Sequence, residues 1–312
     1  MYRDTDLTQK PNVTCKNRAI PGLHRDSFPG LTGQIQGRLL RQVTFTKLYC
    51  RAVMRNKLNP QINESMKWTF ENNAHPDKNI LDYIGQISSK VLEFFSTNLN
   101  FDPPLGYKLI CIKQDCAAGP IVYWPLKPDK YEIGICVNGI FPHQIIYQLA
   151  HEMCHIYIDP RINGSFVEII CHKTAIDVLE EIGAPLTSGG QKAVNDYIFG
   201  LKIKAEETKK TIINDLKNKN VYEKIVDLQN TNTLTDREFF NIIAFKLKNM
   251  IDTTDKFGLI KHIKNSVNPN PSAKLDDLST NIVELDLDKL IQNVSLENQD
   301  LGEIMILLKP AK

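Results

Sequence analysis

"QLAHEMCHIYIDPRINGSFVEIICH", running from Gln148 to His172, is the stretch that decides how this chain is read. Apolar residues at Ile145, Ile146, Leu149, Met153 and Ile156 recur with the period of a helix, which the turn residues Asp159 and Pro160 bring to an end. Within that helix His151, Glu152 and His155 form the pattern H-E-x-x-H. Residues four apart share a helix face, so both imidazoles can present a ring nitrogen to one ion, with the Glu152 carboxylate beside it. A zinc ion held by three protein groups keeps a fourth position for water, and a neighbouring glutamate can take that water's proton. The competing reading is that two histidines fall four apart by chance. The apolar-periodic helix, the β-rich run before it and the turn after it favour the zinc site.

The turn "DPRINGS" allows a second helix to fold back on the first. On that second helix Glu168 shares a face with Cys171, His172, Ala175, Ile176 and Leu179, which is otherwise apolar. A carboxylate on a buried face needs a partner, and a metal is one. Glu168 is therefore a candidate third ligand. Ser165 and Glu168 also form a capping box, in which Glu168 would satisfy the start of its own helix instead. His172, one turn further along, is the alternative third ligand or a group that contacts substrate. Asp177 reads as an acceptor for a ligand histidine or as an exposed helical carboxylate. Tyr157, Tyr197 and His172 are candidates to stabilise an oxyanion.

These residues resemble the zincin metallopeptidases over about 66–182. The stretch lacks the glycine and third histidine of the metzincin pattern, so the gluzincin arrangement, with a glutamate from the following helix as third ligand, suits it better. It is similar to bacterial zincin-like proteins whose second helix carries E-x-x-C, matched here by Glu168 and Cys171. The resemblance implies an α+β catalytic domain in which a small mixed sheet precedes the active-site helix and the helix that follows it. It also implies Zn2+ as cofactor, a peptide or protein substrate, and an edge strand that binds the substrate backbone, for which "YEIGICV" is the candidate. On this reading Glu152 is the catalytic residue, and His151, His155 and Glu168 hold the metal. The alternative class is a non-catalytic or regulatory protein of the same fold, with a structural metal, that acts through protein binding.

The rest of the 312-residue chain is read around this centre. Residues 66–186 form the zincin-like domain. Before it, 1–65 is a basic N-terminal segment in which no acidic residue occurs from Ser27 to Asn63; contact with nucleic acid competes there with a loosely ordered tail. After it, 187–312 is mainly helical, with a capping box at Thr235 and Glu238, a linker around "NSVNPNPSAKLDD" and a C-terminal stretch to which the pattern assigns no element. Upstream of the motif, "ILDYIGQISSKVLEFFSTNL" reads as an amphipathic helix, and "YKLICIK" and "YEIGICV" as strands. At 42% hydrophobic and net charge +2 the composition is that of a globular protein with no charge-selected partner. No run approaches the roughly 18 apolar residues of a membrane span, and the N-terminus is polar, so the expected location is cytoplasmic. The seven cysteines follow no framework spacing and are expected to be free thiols.

Overall fold

The computed structural model describes residues 67–297, apart from 118, 138–140, 184–185, 187, 216–220, 232–235, 252–255 and 268–284. The basic N-terminal segment, and with it the nucleic-acid reading, lies outside the described residues.

The architecture is α+β, a small four-stranded sheet with helices packed against it. Strand β1 (Phe70–Asn73) is followed by helix α1 (Lys78–Asn98), then β2 (Leu109–Gln114), β3 (Ile121–Val122) and β4 (Lys130–Ile135). Asp77 caps α1 by accepting from the backbone N–H groups of Asn79 and Ile80. Ile84, Ile87, Val91, Leu92 and Phe95 then form its buried stripe. The strand order is β1-β2-β4-β3, with β1, β2 and β4 parallel and β3 antiparallel to β4. Parallel neighbours cannot be joined by a tight turn: α1 makes the first crossover, and the long connection from β2 to β4 makes the second. That second connection contains β3.

This corrects the expected edge strand. "YEIGICV" supplies β4, which is paired on both sides and lies inside the sheet. The edge on that side of the sheet belongs to β3, from "GPIVYWPLKP", where flanking prolines limit the ladder to two residues. Its position is fixed by close contacts. A Cβ on Gly134, its neighbour in β4, would stand 3.0 Å from Ile121, and the Tyr123 hydroxyl donates to Asp115 at 2.5 Å.

The free-thiol expectation is corrected at two positions. Cys116 and Cys136 form a disulfide with their Cα atoms 4.4 Å apart. Each lies just past the end of one of the paired strands β2 and β4, so the sheet brings together cysteines that look unrelated in sequence. The bond closes the loop that carries β3. Replacing both cysteines with Ser is expected to lower unfolding stability by about 3 kcal/mol through the loop left open in the unfolded chain. Denaturant titration without reductant checks this, and an unchanged midpoint would contradict it.

Helix α2 (Pro142–Ile158) carries H-E-x-x-H, with Pro142 in its first turn, where a missing N–H is harmless. It stops at Asp159, a non-glycine residue at φ 123°. The Asp159 carboxylate accepts from the Arg161 backbone N–H at 3.0 Å and from its guanidinium at 2.6 and 2.9 Å, which holds the unusual backbone in place. The chain can then reverse into α3 (Ser165–Gly183), which packs along α2.

Helices α4 (Ser188–Asp215), α5 (Val221–Asn230), α6 (Arg237–Met250), α7 (Gly258–Ile263) and α8 (Leu287–Glu297) follow. Helices α4 and α6 pack on each other and on α3, and a single buried apolar cluster extends from the sheet into them. Asp236 caps α6 by accepting from the Phe239 N–H, while Glu238 pairs with Lys204; Thr235, expected as the cap, lies outside the described residues. Helix α8, which the sequence left unassigned, buries Leu287, Leu290, Ile291 and Val294. Neither reading of Asp177 holds. It is buried beneath α6 and bound by Lys173 Nζ at 2.8 Å and Lys248 Nζ at 3.3 Å. Among the described residues no helix is long and apolar enough to cross a membrane.

Candidate metal centre

Helix α2 presents His151 and His155 on one face, and the Asp159 turn brings Glu168, one turn into α3, level with them. The three donors are close to equidistant. His151 Nε2 and His155 Nε2 are 3.3 Å apart. Glu168 Oε2 is 3.3 Å from His151 Nε2, and Glu168 Oε1 is 3.3 Å from His155 Nε2. Ligands bound tetrahedrally at about 2.0–2.1 Å lie about 3.3–3.4 Å from one another. Each of these contacts has the spacing of two ligands on one zinc ion, with the two imidazoles meeting different oxygens of the carboxylate, and two imidazoles with one carboxylate are a donor set zinc accepts.

The electrostatics of His155 and Glu168 agree with their spacing. Burial pulls the His155 pKa down, but the Glu168 charge beside it prevails and brings it to about 9. Burial pushes Glu168 up, yet His155 and His151 hold it well below the usual carboxylate range.

The groups whose donor atoms, one per residue, all lie within 4.8 Å of one another are His151 with His155 and Cys171, and His151 with Glu168 and His172. His172 has a different partner, since its Nδ1 lies 2.5 Å from the Tyr147 hydroxyl. Its burial holds the imidazole pKa well below the usual range, so the ring is neutral. Cys171 is fully buried and is not among the residues that line the cleft.

The cleft has a volume of about 500 Å3 and exposes His151, His155 and Glu168 together with Glu152, Tyr147 and His172. Its other side is the edge strand, through Pro120, Ile121, Val122 and Trp124. Because the Tyr123 N–H turns inward to Glu132 O at 2.8 Å, alternation turns the Val122 backbone outward, where it favours the ionised form of the Glu152 carboxylate. Glu152 is buried, which raises its pKa against the lowering influence of His151 and His155. A carboxylate of raised pKa, held beside the triad and outside it, is suited to accept a proton and later return it.

Helix α2 is tied to the sheet one turn before the motif. Gln148 accepts from the Cys136 N–H at 2.7 Å and donates to the Cys136 carbonyl at 3.0 Å. Cys136 therefore joins the disulfide, the end of β4 and the motif helix directly.

The tyrosine assignments change. Tyr157 is fully buried; it donates to Phe95 O at 3.2 Å and accepts from the Trp68 indole at 3.4 Å, so it belongs to the core. Tyr197 stacks against His143, with ring centroids 4.8 Å apart, and is not among the residues that line the cleft. Tyr147 is the tyrosine in the cleft, and sequence reasoning missed it. The signal was present, since Tyr147, His151 and His155 follow at intervals of four on one helix face. Arg237, which also lines the cleft, comes from α6 and carried no comparable signal.

Compared with known proteins, the chain matches no family model, no curated protein and no solved structure.

Proposed function

We propose that this protein is a zinc-dependent metallopeptidase of gluzincin-like arrangement, with His151, His155 and Glu168 as metal ligands and Glu152 as general base. The observation that carries this reading is a pair of imidazole Nε2 atoms 3.3 Å apart, each 3.3 Å from a different oxygen of the Glu168 carboxylate, open to a cleft and with the Glu152 carboxylate beside them. Bound there, zinc would supply Lewis acidity toward a carbonyl oxygen and lower the pKa of a water to near neutrality. Glu152 would take a proton from the attacking water and pass it to the leaving amine. The Val122 backbone turns its N–H toward the Glu152 carboxylate, and its outward-facing carbonyl is left to accept from an extended peptide beside β3.

Tyr147 and His172 supply the polar proton that a tetrahedral oxyanion requires. Burial keeps the Tyr147 phenol well above its ordinary pKa, so it remains a donor. Tyr147→Phe is expected to lower kcat about 100-fold with KM little changed, as for loss of one oxyanion donor. Steady-state kinetics on a cleaved peptide checks this, and a kcat near wild type would remove Tyr147 from the role.

Exposure of the zinc-loaded protein to a peptide mixture tests the activity itself. Mass spectrometry should find new termini that disappear with a zinc chelator and return when zinc is restored. A loaded protein that produces no new termini would sink the peptidase reading. A non-catalytic protein with a structural metal is the second reading, and the approach of Cys171 to both histidines favours it, since a fourth protein ligand would close the site.

A further inference from the structure

Arg237 opens α6 and reaches into the cleft beside Tyr147 and His172. Three observations set it apart. Among the cleft-lining residues the acidic groups are Glu152 and Glu168, and both are engaged elsewhere, with the Val122 N–H and with the two histidines. The Arg237 guanidinium makes no ion pair with either, nor with any other carboxylate among the described residues; neighbouring Asp236 and Glu238 turn instead to Lys224 and Lys204. Its charge nevertheless reaches the cleft wall, where it opposes the rise that burial imposes on the Tyr147 phenol. A cation in the first turn of a helix also opposes the helix macrodipole, so local helix energetics do not explain it.

A guanidinium in a cleft, with its donors unspent, is matched by a planar anion that can accept two parallel hydrogen bonds. The substrate of a peptidase offers one chemistry of that kind, the carboxylate, either on an Asp or Glu side chain or at the peptide's C-terminus. From this geometry we infer that Arg237 is a specificity-determining residue that binds a substrate carboxylate beside the Tyr147–His172 pair. The inference rests on the peptidase reading and adds the substrate class to it.

Zinc-binding peptide hydroxamates test it on the zinc-loaded full chain without requiring turnover. One matched pair carries Glu or Gln, and another a free or an amidated C-terminus. In the wild type, the carboxylate member of one pair should bind at least about 10-fold more tightly than its neutral partner, and the pair that shows this identifies the source of the carboxylate. Arg237→Gln should abolish that preference, Arg237→Glu should reverse it, and Arg237→Lys should restore part of it. Equal affinities in the wild type, or a preference that survives in Arg237→Gln, would overturn the inference. Cleavage of the parent peptides, assayed in parallel, separates the two readings. Cleavage with no charge preference removes carboxylate recognition and leaves the peptidase standing. Charge-selective binding with no cleavage does the reverse. Absence of all hydroxamate binding removes both.

Discussion

Glu152→Gln is expected to leave zinc bound at one ion per chain and to lower kcat by about a thousandfold, within the range that a positioned general base contributes. The amide keeps the volume of the carboxylate and still offers an oxygen to the Val122 N–H, so the edge strand and α2 keep their relation. It cannot take a proton. Because Glu152 is buried and its ionised form is disfavoured there, a neutral replacement should not destabilise the fold. The expected result is thus an inactive protein with unchanged metal content and an unchanged melting curve. Activity retained within a few-fold of wild type would remove Glu152 from the mechanism.

Glu168→Gln is expected to reduce zinc affinity by about 100-fold or more, beyond what the loss of a group that merely supports a ligand costs. This substitution discriminates between the two readings of Glu168. Glutamine serves a capping box as well as glutamate does, so a residue that only closed the start of α3 could be exchanged with no effect on the metal. As a ligand, however, the neutral amide is a poor substitute for a carboxylate that sits 3.3 Å from both imidazoles. Zinc affinity measured by competition with a chromogenic chelator decides the matter, and a variant that binds zinc as tightly as wild type would return Glu168 to a capping role.

Much of this arrangement was legible in the sequence because it is local. The spacing of four fixes His151 and His155 on one face regardless of tertiary structure, and the short turn before Ser165 leaves Glu168 few places to go. The amphipathic stripe of α1 and the β-rich runs of β2 and β4 were readable for the same reason. What the sequence did not show depends on long-range pairing. Nothing in "YEIGICV" says that a two-residue strand will cover its outer side, since β3 is too short to have a period. Cys116 and Cys136 lie 20 residues apart and meet only because β2 and β4 are parallel neighbours. Asp177 looked like an exposed carboxylate because its partners Lys173 and Lys248 include one from α6, a helix that begins sixty residues later. Tyr157 looked available because a single sequence cannot show that Trp68 and Phe95 enclose it.

The most direct measurement is a crystal structure of the zinc-loaded protein with anomalous data collected on both sides of the zinc absorption edge. The expected result is one zinc at about 2.0–2.2 Å from His151 Nε2, His155 Nε2 and a Glu168 carboxylate oxygen, with the fourth position facing the cleft and held by solvent. A zinc whose fourth ligand is Cys171, or no anomalous peak between the two histidines, would contradict the hydrolytic site.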